Sequence, residues 1–182
     1  MLAKQRLRTV LAPDQRASLG RELATRLVEA NDDLNIVVVS DDDDVASWAR
    51  ELHVRFLRES RPGLNQAVAS AHAKLREEGT QRMIVAHSDL ASASSLSWVN
   101  AFPGITIAPD RRNEGTNVLA LPVDVSFTYS YGPQSFRRHY REAIATGLPV
   151  RVVADRQCAT DLDAPSDLRL LRRRNDWVAA PR

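Results

Sequence analysis

Acidic residues stand at two places where an apolar run of this sequence gives way to polar residues. Asp89 follows directly on Met83-Ile84-Val85-Ala86, within Ala86-His87-Ser88-Asp89-Leu90. Asp161 and Asp163 stand in Asp161-Leu162-Asp163-Ala164-Pro165, beyond the apolar run at 150–154. Carboxylates converging from the ends of two strands are the usual minimum for holding Mg²⁺ on a nucleotide's phosphates, because that cation keeps several waters and takes few protein ligands. Helix capping competes for the same residues: Asp163 before Pro165, with Asp167 following, is a sound helix start in its own right.

Two polar loops offer the complementary chemistry. Gly115-Thr116-Asn117 reads as a flexible turn between apolar runs, with a backbone free of Cβ, a hydroxyl and an amide suited to phosphate or carboxylate oxygens. Gly132-Pro133-Gln134-Ser135 opens a basic amphipathic stretch and supplies free amides and a hydroxyl at a helix start, where the dipole favours an anion. A plain hairpin turn and a plain N-cap account for each loop taken singly. Flanked by Arg111, Arg112, Arg137 and Arg138, the two together predict a site for an anionic, phosphorylated substrate.

Other polar clusters read as structural. In Asp41 to Asp44, adjacent side chains cannot all face one ion, so the run is expected to be a solvated turn with one helix-capping acid. His53, His72 and His139 stand singly, without metal-ligand spacing. His87, two residues from Asp89, is placed to face the same crevice. Cys158 has no evident base partner and reads as a core residue. Arg172-Arg173-Arg174, with no aromatic platform beside it, reads as a solvated helix end rather than a nucleic-acid contact.

These residues need a frame, and the apolar periodicity predicts one. Helical stripes run over 14–29 (Leu19, Leu23, Ala24, Leu27), from Val45 to Leu52, and over 65–78 (Ala67, Val68, Ala71, Leu75). Further helices are predicted near 93–100, over 136–145 with Gly147 ending it, and over 165–173. Between them fall short apolar runs of strand length at 36–39, 54–57, 83–86, 105–108, 118–121 and 150–154. The first, Ile36-Val37-Val38-Val39, has the unbroken pattern of a strand covered on both faces. Strands alternating with helices predict an α/β sandwich with a mainly parallel sheet, and in such folds ligands bind at the carboxyl ends of the strands.

Composition narrows the class. A chain of 182 residues, 43% hydrophobic and 26% charged, suits a single globular domain with a substantial core. No run approaches the roughly 18 apolar residues of a membrane span, and Met1-Leu2-Ala3-Lys4 is unlike a signal peptide. A net charge of +2 gives no reason to expect a nucleic-acid partner, and a single cysteine fits a reducing cytoplasm.

In order along the chain, the motifs resemble those of the CofC/FbiD-type guanylyltransferases of coenzyme F-420 biosynthesis. The matching segments are Ala3-Lys4-Gln5-Arg6-Leu7, Gly63-Leu64-Asn65, Ser88-Asp89-Leu90, Ala108-Pro109-Asp110-Arg111 and Gly115-Thr116-Asn117. Tyr131-Gly132-Pro133-Gln134-Ser135-Phe136, His139 and the 161–168 segment complete the set. Each is short, but the ordered set covers nearly the whole chain. The resemblance implies a three-layer nucleotidyltransferase fold of the nucleotide-diphospho-sugar transferase kind, as one domain over 1–182. It implies transfer of GMP from GTP to 2-phospho-L-lactate, phosphoenolpyruvate or 3-phospho-D-glycerate with release of pyrophosphate, the product passing to a downstream transferase. By the same resemblance Thr116, Gly132 and Ser135 hold the phospho-acid, Asp89 and Asp161 bind Mg²⁺ with Asp163 close by, and Lys4, Arg6 and Asn65 lie along the nucleotide.

The chain departs from that pattern twice. Family members begin with an apolar strand and a lysine-bearing loop ahead of the Ala-Lys-x-Arg-Leu motif, whereas Met1 stands almost at it. The expectation is a start codon placed too far downstream. The alternative is a degenerate, non-catalytic nucleotide-binding domain. A nucleotidyltransferase for another phosphorylated substrate is the remaining reading. The second departure is Ala91, where the family commonly has proline, a change that loosens the loop without removing chemistry.

Overall fold

The computed structural model describes residues 7–90 and 95–159. Six strands and five helices alternate along them. They are α1 Pro13–Glu29, β1 Val37–Ser40, α2 Asp43–Glu51, β2 Arg55–Arg58, α3 Leu64–Glu77, β3 Arg82–Ala86, β4 Ile105–Pro109, β5 Thr116–Pro122, α4 Ser135–Ala145, β6 Val150–Val152 and α5 Arg156–Ala159. A 3₁₀ turn, Ser97–Ala101, precedes β4. The helix expected over 165–173 lies outside the described residues.

Local chemistry explains the element boundaries. Pro13 occupies the first turn of α1, where its missing N–H removes nothing. The acidic run at 41–44 resolves as expected: Asp42 caps α2, its Oδ1 accepting from the amides of Asp44 at 2.8 Å and Val45 at 3.3 Å. α4 begins after Gln134, which adopts a left-handed φ of 56°, and ends at Gly147, with φ +76°.

The strands form two sheets. β1 and β2 pair in parallel, while β3, β5, β4 and β6 lie side by side in that order. In the larger sheet β5 runs antiparallel to both β3 and β4, and β4 runs parallel to β6, so β5 alone is reversed. Among the described residues no ladder joins β1 to β3, and α3 packs against both. The expectation of full cover for the Val37-Val38-Val39 run therefore fails: every residue of β1 is only partly buried. Full burial falls to β4 and to β5 as far as Leu121, which have partners on both edges.

Alternation along β4 and β5 divides the core in two. Ile105, Ile107, Leu119 and Leu121 pack with Met83, Val68, Ala143 and the aromatic residues Phe127, Tyr129 and Tyr131 on the side of α3 and α4. Ala108, Val118 and Ala120 face Leu90, Leu96, Val99 and Cys158, with Leu27 from α1 against them. The result is a three-layer α/β sandwich.

One irregularity decides where the polar residues of β5 point. The β4–β5 ladder runs Thr106↔Ala120, Ile107↔Leu119, Ala108↔Val118 and then jumps to Pro109↔Thr116, leaving Asn117 as the extra residue of a bulge. Strict alternation would send Thr116 to the same face as Val118. The bulge turns Thr116 towards α4 instead, while the Asn117 amide reaches the Cys158 carbonyl on the other side at 2.9 Å.

Candidate active site

The bulge brings Thr116 to the start of α4, where a chain of hydrogen bonds fixes it. The amide of Thr116 donates to Ser135 Oγ at 3.0 Å, and Thr116 Oγ1 lies 3.0 Å from His139 Nδ1. The other ring nitrogen, His139 Nε2, accepts from the amide of Ser130 at 2.9 Å. A neutral imidazole has one donor and one acceptor nitrogen, so accepting at Nε2 places the proton on Nδ1, which donates to Thr116. Burial first, and then the neighbouring charges of Arg138 and His87, push His139 down to about 4, keeping it neutral near pH 7.

This arrangement assigns the hydroxyl protons. Thr116 Oγ1 and Ser135 Oγ each already accept a hydrogen bond, so each retains its own hydrogen to donate onward. Both residues are almost fully buried, at 1% and 2% exposure. Two such hydroxyls, each accepting one hydrogen bond and keeping a hydrogen to donate, can offer a donor pair to an anionic oxygen, held in place before any ligand arrives.

Two expectations about these loops need correction. The turn is not Gly115-Thr116-Asn117 but the segment before it. Asp110 Oδ1 accepts from the amides of Arg112 at 3.0 Å and Glu114 at 2.9 Å, while Thr116 and Asn117 are strand residues and Asn117 is spent on Cys158. The opening amides of α4 are not free either: Ser135 donates to the Gly132 carbonyl and Phe136 to that of Glu114. At this helix start the hydroxyl is the group on offer. The flanking arginines have separate tasks or open positions. Arg138 donates to the Ser130 carbonyl from Nε at 3.2 Å and Nη2 at 2.8 Å, whereas Arg112 and Arg137 are exposed.

Gly132 and Asn65 shape the loop that carries Ser135. Gly132 sits at φ +113°, a conformation that a side chain rarely adopts. Asn65, in the first turn of α3, clamps the preceding residue, its Oδ1 accepting from the Tyr131 amide at 2.5 Å and its Nδ2 donating to the Tyr131 carbonyl at 3.3 Å. Asn65 thus belongs by contact to the Gly132 loop.

Just beyond the end of β3 stand His87 and Asp89. His87 extends the β3–β5 ladder, its amide donating to the Asn117 carbonyl at 3.0 Å, and its Nδ1 lies 4.0 Å from Asp89 Oδ1. Its ring is 5.4 Å from that of Tyr131, which stands edge-on to His139 at 4.7 Å between centroids. His87 Nε2 and the Tyr131 hydroxyl are both buried without a hydrogen-bond partner. Such atoms cost about 1–3 kcal/mol each when left so. Burial raises the Tyr131 hydroxyl well above its ordinary range, so it remains a donor.

The structure thus brings Asp89, Thr116, Gly132, Ser135 and Asn65 to one end of the sheet, while Lys4, Arg6, Asp161 and Asp163 lie outside the described residues. No group of three or more acidic, histidine or cysteine side chains suited to a metal occurs among the described residues. Asp89 supplies one hard oxygen donor at the end of β3. Cys158 is buried, with its thiol pushed up to about 11 chiefly by that burial, which removes it as a nucleophile. His139, expected to be structural, is fully buried with both ring nitrogens hydrogen-bonded, one of them to Thr116. It stands one turn along α4 from Ser135, on the same helix face.

The three-layer α/β fold carries a strand-end carboxylate, Asp89, near two buried hydroxyls, and its relatives place the chain among the nucleotidyltransferases. The fold matches that of a protein from Desulfovibrio desulfuricans assigned as a nucleotide-diphospho-sugar transferase, with a TM-score of 0.78 and 18% identity over 94% of this chain and 80% of that one. More narrowly, the chain belongs to the "Guanylyl transferase CofC like" family, whose profile matches residues 1–173. Among its relatives, the phosphoenolpyruvate guanylyltransferase of Rubrobacter xylanophilus is 35% identical, covering 91% of this chain and 85% of its own. The 3-phospho-D-glycerate guanylyltransferase of Phenylobacterium zucineum is 31% identical, covering 91% and 82%.

Proposed function

We propose that this guanylyltransferase joins GMP from GTP to the phosphate of a small phosphorylated acid, a step of coenzyme F-420 biosynthesis carried out in the cytoplasm. Phosphoenolpyruvate is the favoured acceptor, ahead of 3-phospho-D-glycerate and 2-phospho-L-lactate, because the relative at 35% identity acts on it. The carrying observation is the Thr116–Ser135 donor pair, set by His139 and the Thr116 amide. It suits a carboxylate or phosphate oxygen of the acceptor.

In the reaction an acceptor phosphate oxygen attacks the α-phosphorus of GTP. One P–O bond forms, and the bond from the α-phosphorus to the bridging oxygen of pyrophosphate breaks, its electron pair leaving with pyrophosphate. A phosphate nucleophile is already ionised, so no general base is required, and positioning carries most of the work. Thr116 and Ser135 fix the acceptor, and the Gly132 loop, clamped by Asn65, fixes Ser135. Asp89 would hold Mg²⁺ together with the family's Asp161 and Asp163, and that ion would offset the repulsion between two polyanions and stabilise charge on the leaving pyrophosphate. By the family resemblance Lys4 and Arg6 lie along the nucleotide.

The test is to incubate the full chain with GTP, Mg²⁺ and each phospho-acid in turn, reading products by ³¹P NMR and mass spectrometry. The expected product carries GMP joined through a new diphosphate to the intact acid. GTP left unchanged with all three acids would refute the assignment.

A further inference from the structure

The ring cluster behind the Gly132 loop satisfies its polar atoms with two exceptions. The Tyr129 hydroxyl lies 2.8 Å from His72 Nδ1, and His72 Nε2 lies 2.9 Å from the Val123 carbonyl. Both nitrogens of His139 are engaged. Among the rings of this cluster in the described residues, only His87 Nε2 and the Tyr131 hydroxyl are buried without a partner, and they belong to adjacent rings 5.4 Å apart. Nothing in the packing requires them to be polar. Phenylalanine at 131 would keep the stacked contact with Tyr129 and the edge-on contact with His139.

Their location suggests what satisfies them. His87 hydrogen-bonds through its backbone to Asn117, the bulge residue next to Thr116, and stands two residues before Asp89. Tyr131 touches His139, the residue that orients Thr116, and directly precedes Gly132. The pair therefore lies beside both Asp89 and the residues that hold Thr116 and Ser135. A phenol that stays protonated keeps a hydrogen to donate, and the oxygens of a phospho-acid accept one.

Resting on the guanylyl-acceptor reading above, we infer that His87 and Tyr131 are contact residues for the phospho-acid. Their two unpartnered atoms hydrogen-bond its oxygens alongside Thr116 and Ser135. Four polar groups, from the residue after β3, from β5, from the Gly132 loop and from the start of α4, then surround the acceptor. An acid unable to present oxygens to all of them leaves buried groups unpaired and is rejected, a stronger source of selectivity than apolar fit.

Tyr131→Phe and His87→Phe test this, each keeping a ring while removing the polar atom. Steady-state kinetics should show KM for the phospho-acid raised roughly ten- to hundredfold, with KM for GTP unchanged. Melting temperatures of the ligand-free proteins give the second readout. Tyr131→Phe should melt no lower than the parent, whereas a lower melting temperature with an unchanged KM would mean a purely structural hydroxyl and overturn the inference. Should the parent turn over none of the acids, the shift in melting temperature caused by phosphoenolpyruvate or 3-phospho-D-glycerate alone decides separately. A shift present in the parent and diminished in both variants supports the contact. Equal shifts, or none in the parent, overturn it.

Discussion

At the scale of single residues, the site depends on who donates to whom. His139 shows its effect only through Thr116: with Nε2 committed to the Ser130 amide, its Nδ1 proton has one destination, and the Thr116 hydroxyl becomes a donor. Ser135 works in the same way, its Oγ occupied by the Thr116 amide. Ser135→Ala should therefore both orphan a buried amide, costing about 1–3 kcal/mol in unfolding free energy by urea titration, and raise KM for the acceptor. The same chemistry predicts a pH dependence. His139 titrates at about 4 in the folded chain against 6.5 unfolded. Between those values the unfolded state binds more protons, so the contribution is fully present above about 6.5 and is lost as pH falls towards 4. Glu59 and Glu78, held down to about 2 by hydrogen bonds from Arg61 and Arg55 respectively, lose theirs only in more acid solution. Melting temperature should decline from pH 6.5 to 4 in the parent, and the decline should be shallower in His139→Gln. None of this was legible in the sequence, where His139 is a lone histidine on an amphipathic helix and no spacing rule reveals a hydrogen-bond direction.

At the scale of elements, the sequence was more open. Apolar stripes and runs located the described strands and the helices α1 to α4 to within a few residues, because 3.6- and 2-residue periods follow from burying one face, but they missed the short α5 at Arg156–Ala159. The Asp42 cap followed from the same local reasoning. The Gly115-Thr116-Asn117 turn did not, because the decisive features were non-local. Asp110 holds the true turn through the amides of Arg112 and Glu114, and the bulge at Asn117 depends on register with β4. That bulge turns Thr116 onto the α4 face, so the most informative residue of the site owes its direction to one extra residue in a strand. The loop before α4 depends likewise on a contact from a distant helix. Asn65→Ala removes both hydrogen bonds to Tyr131, and should raise KM for the phospho-acid several-fold with a stability loss of roughly 1–2 kcal/mol. Gly132→Ala should act in the same direction through backbone strain at φ +113°, costing about 1–2 kcal/mol. Thermal melting beside acceptor-dependent kinetics measures both.

At the scale of the whole molecule, the fold class and the family were legible because many weak motifs fell in the right order. The reversed direction of β5 and the absence of a ladder between β1 and β3 were not, since strand pairing is a long-range property that apolar runs do not encode. The architecture nevertheless explains why chemistry gathers at one end of the larger sheet. Because β5 is reversed, its first residue, Thr116, lies beside the last residues of β3 and β4, and α4 begins over the same end. Asp89→Asn preserves shape but removes the carboxylate charge there, and should abolish turnover while leaving the far-ultraviolet circular dichroism spectrum unchanged. The central claim is that a donor pair on β5 and α4 grips a phospho-acid that accepts GMP. The most direct test is pyrophosphate release at saturating GTP and Mg²⁺ as phosphoenolpyruvate is titrated, in the parent and in Thr116→Val. The account predicts release that requires the acid, with half-saturation moved roughly ten- to hundredfold higher in the variant. Release independent of any phospho-acid, or the same half-saturation in both proteins, would contradict it.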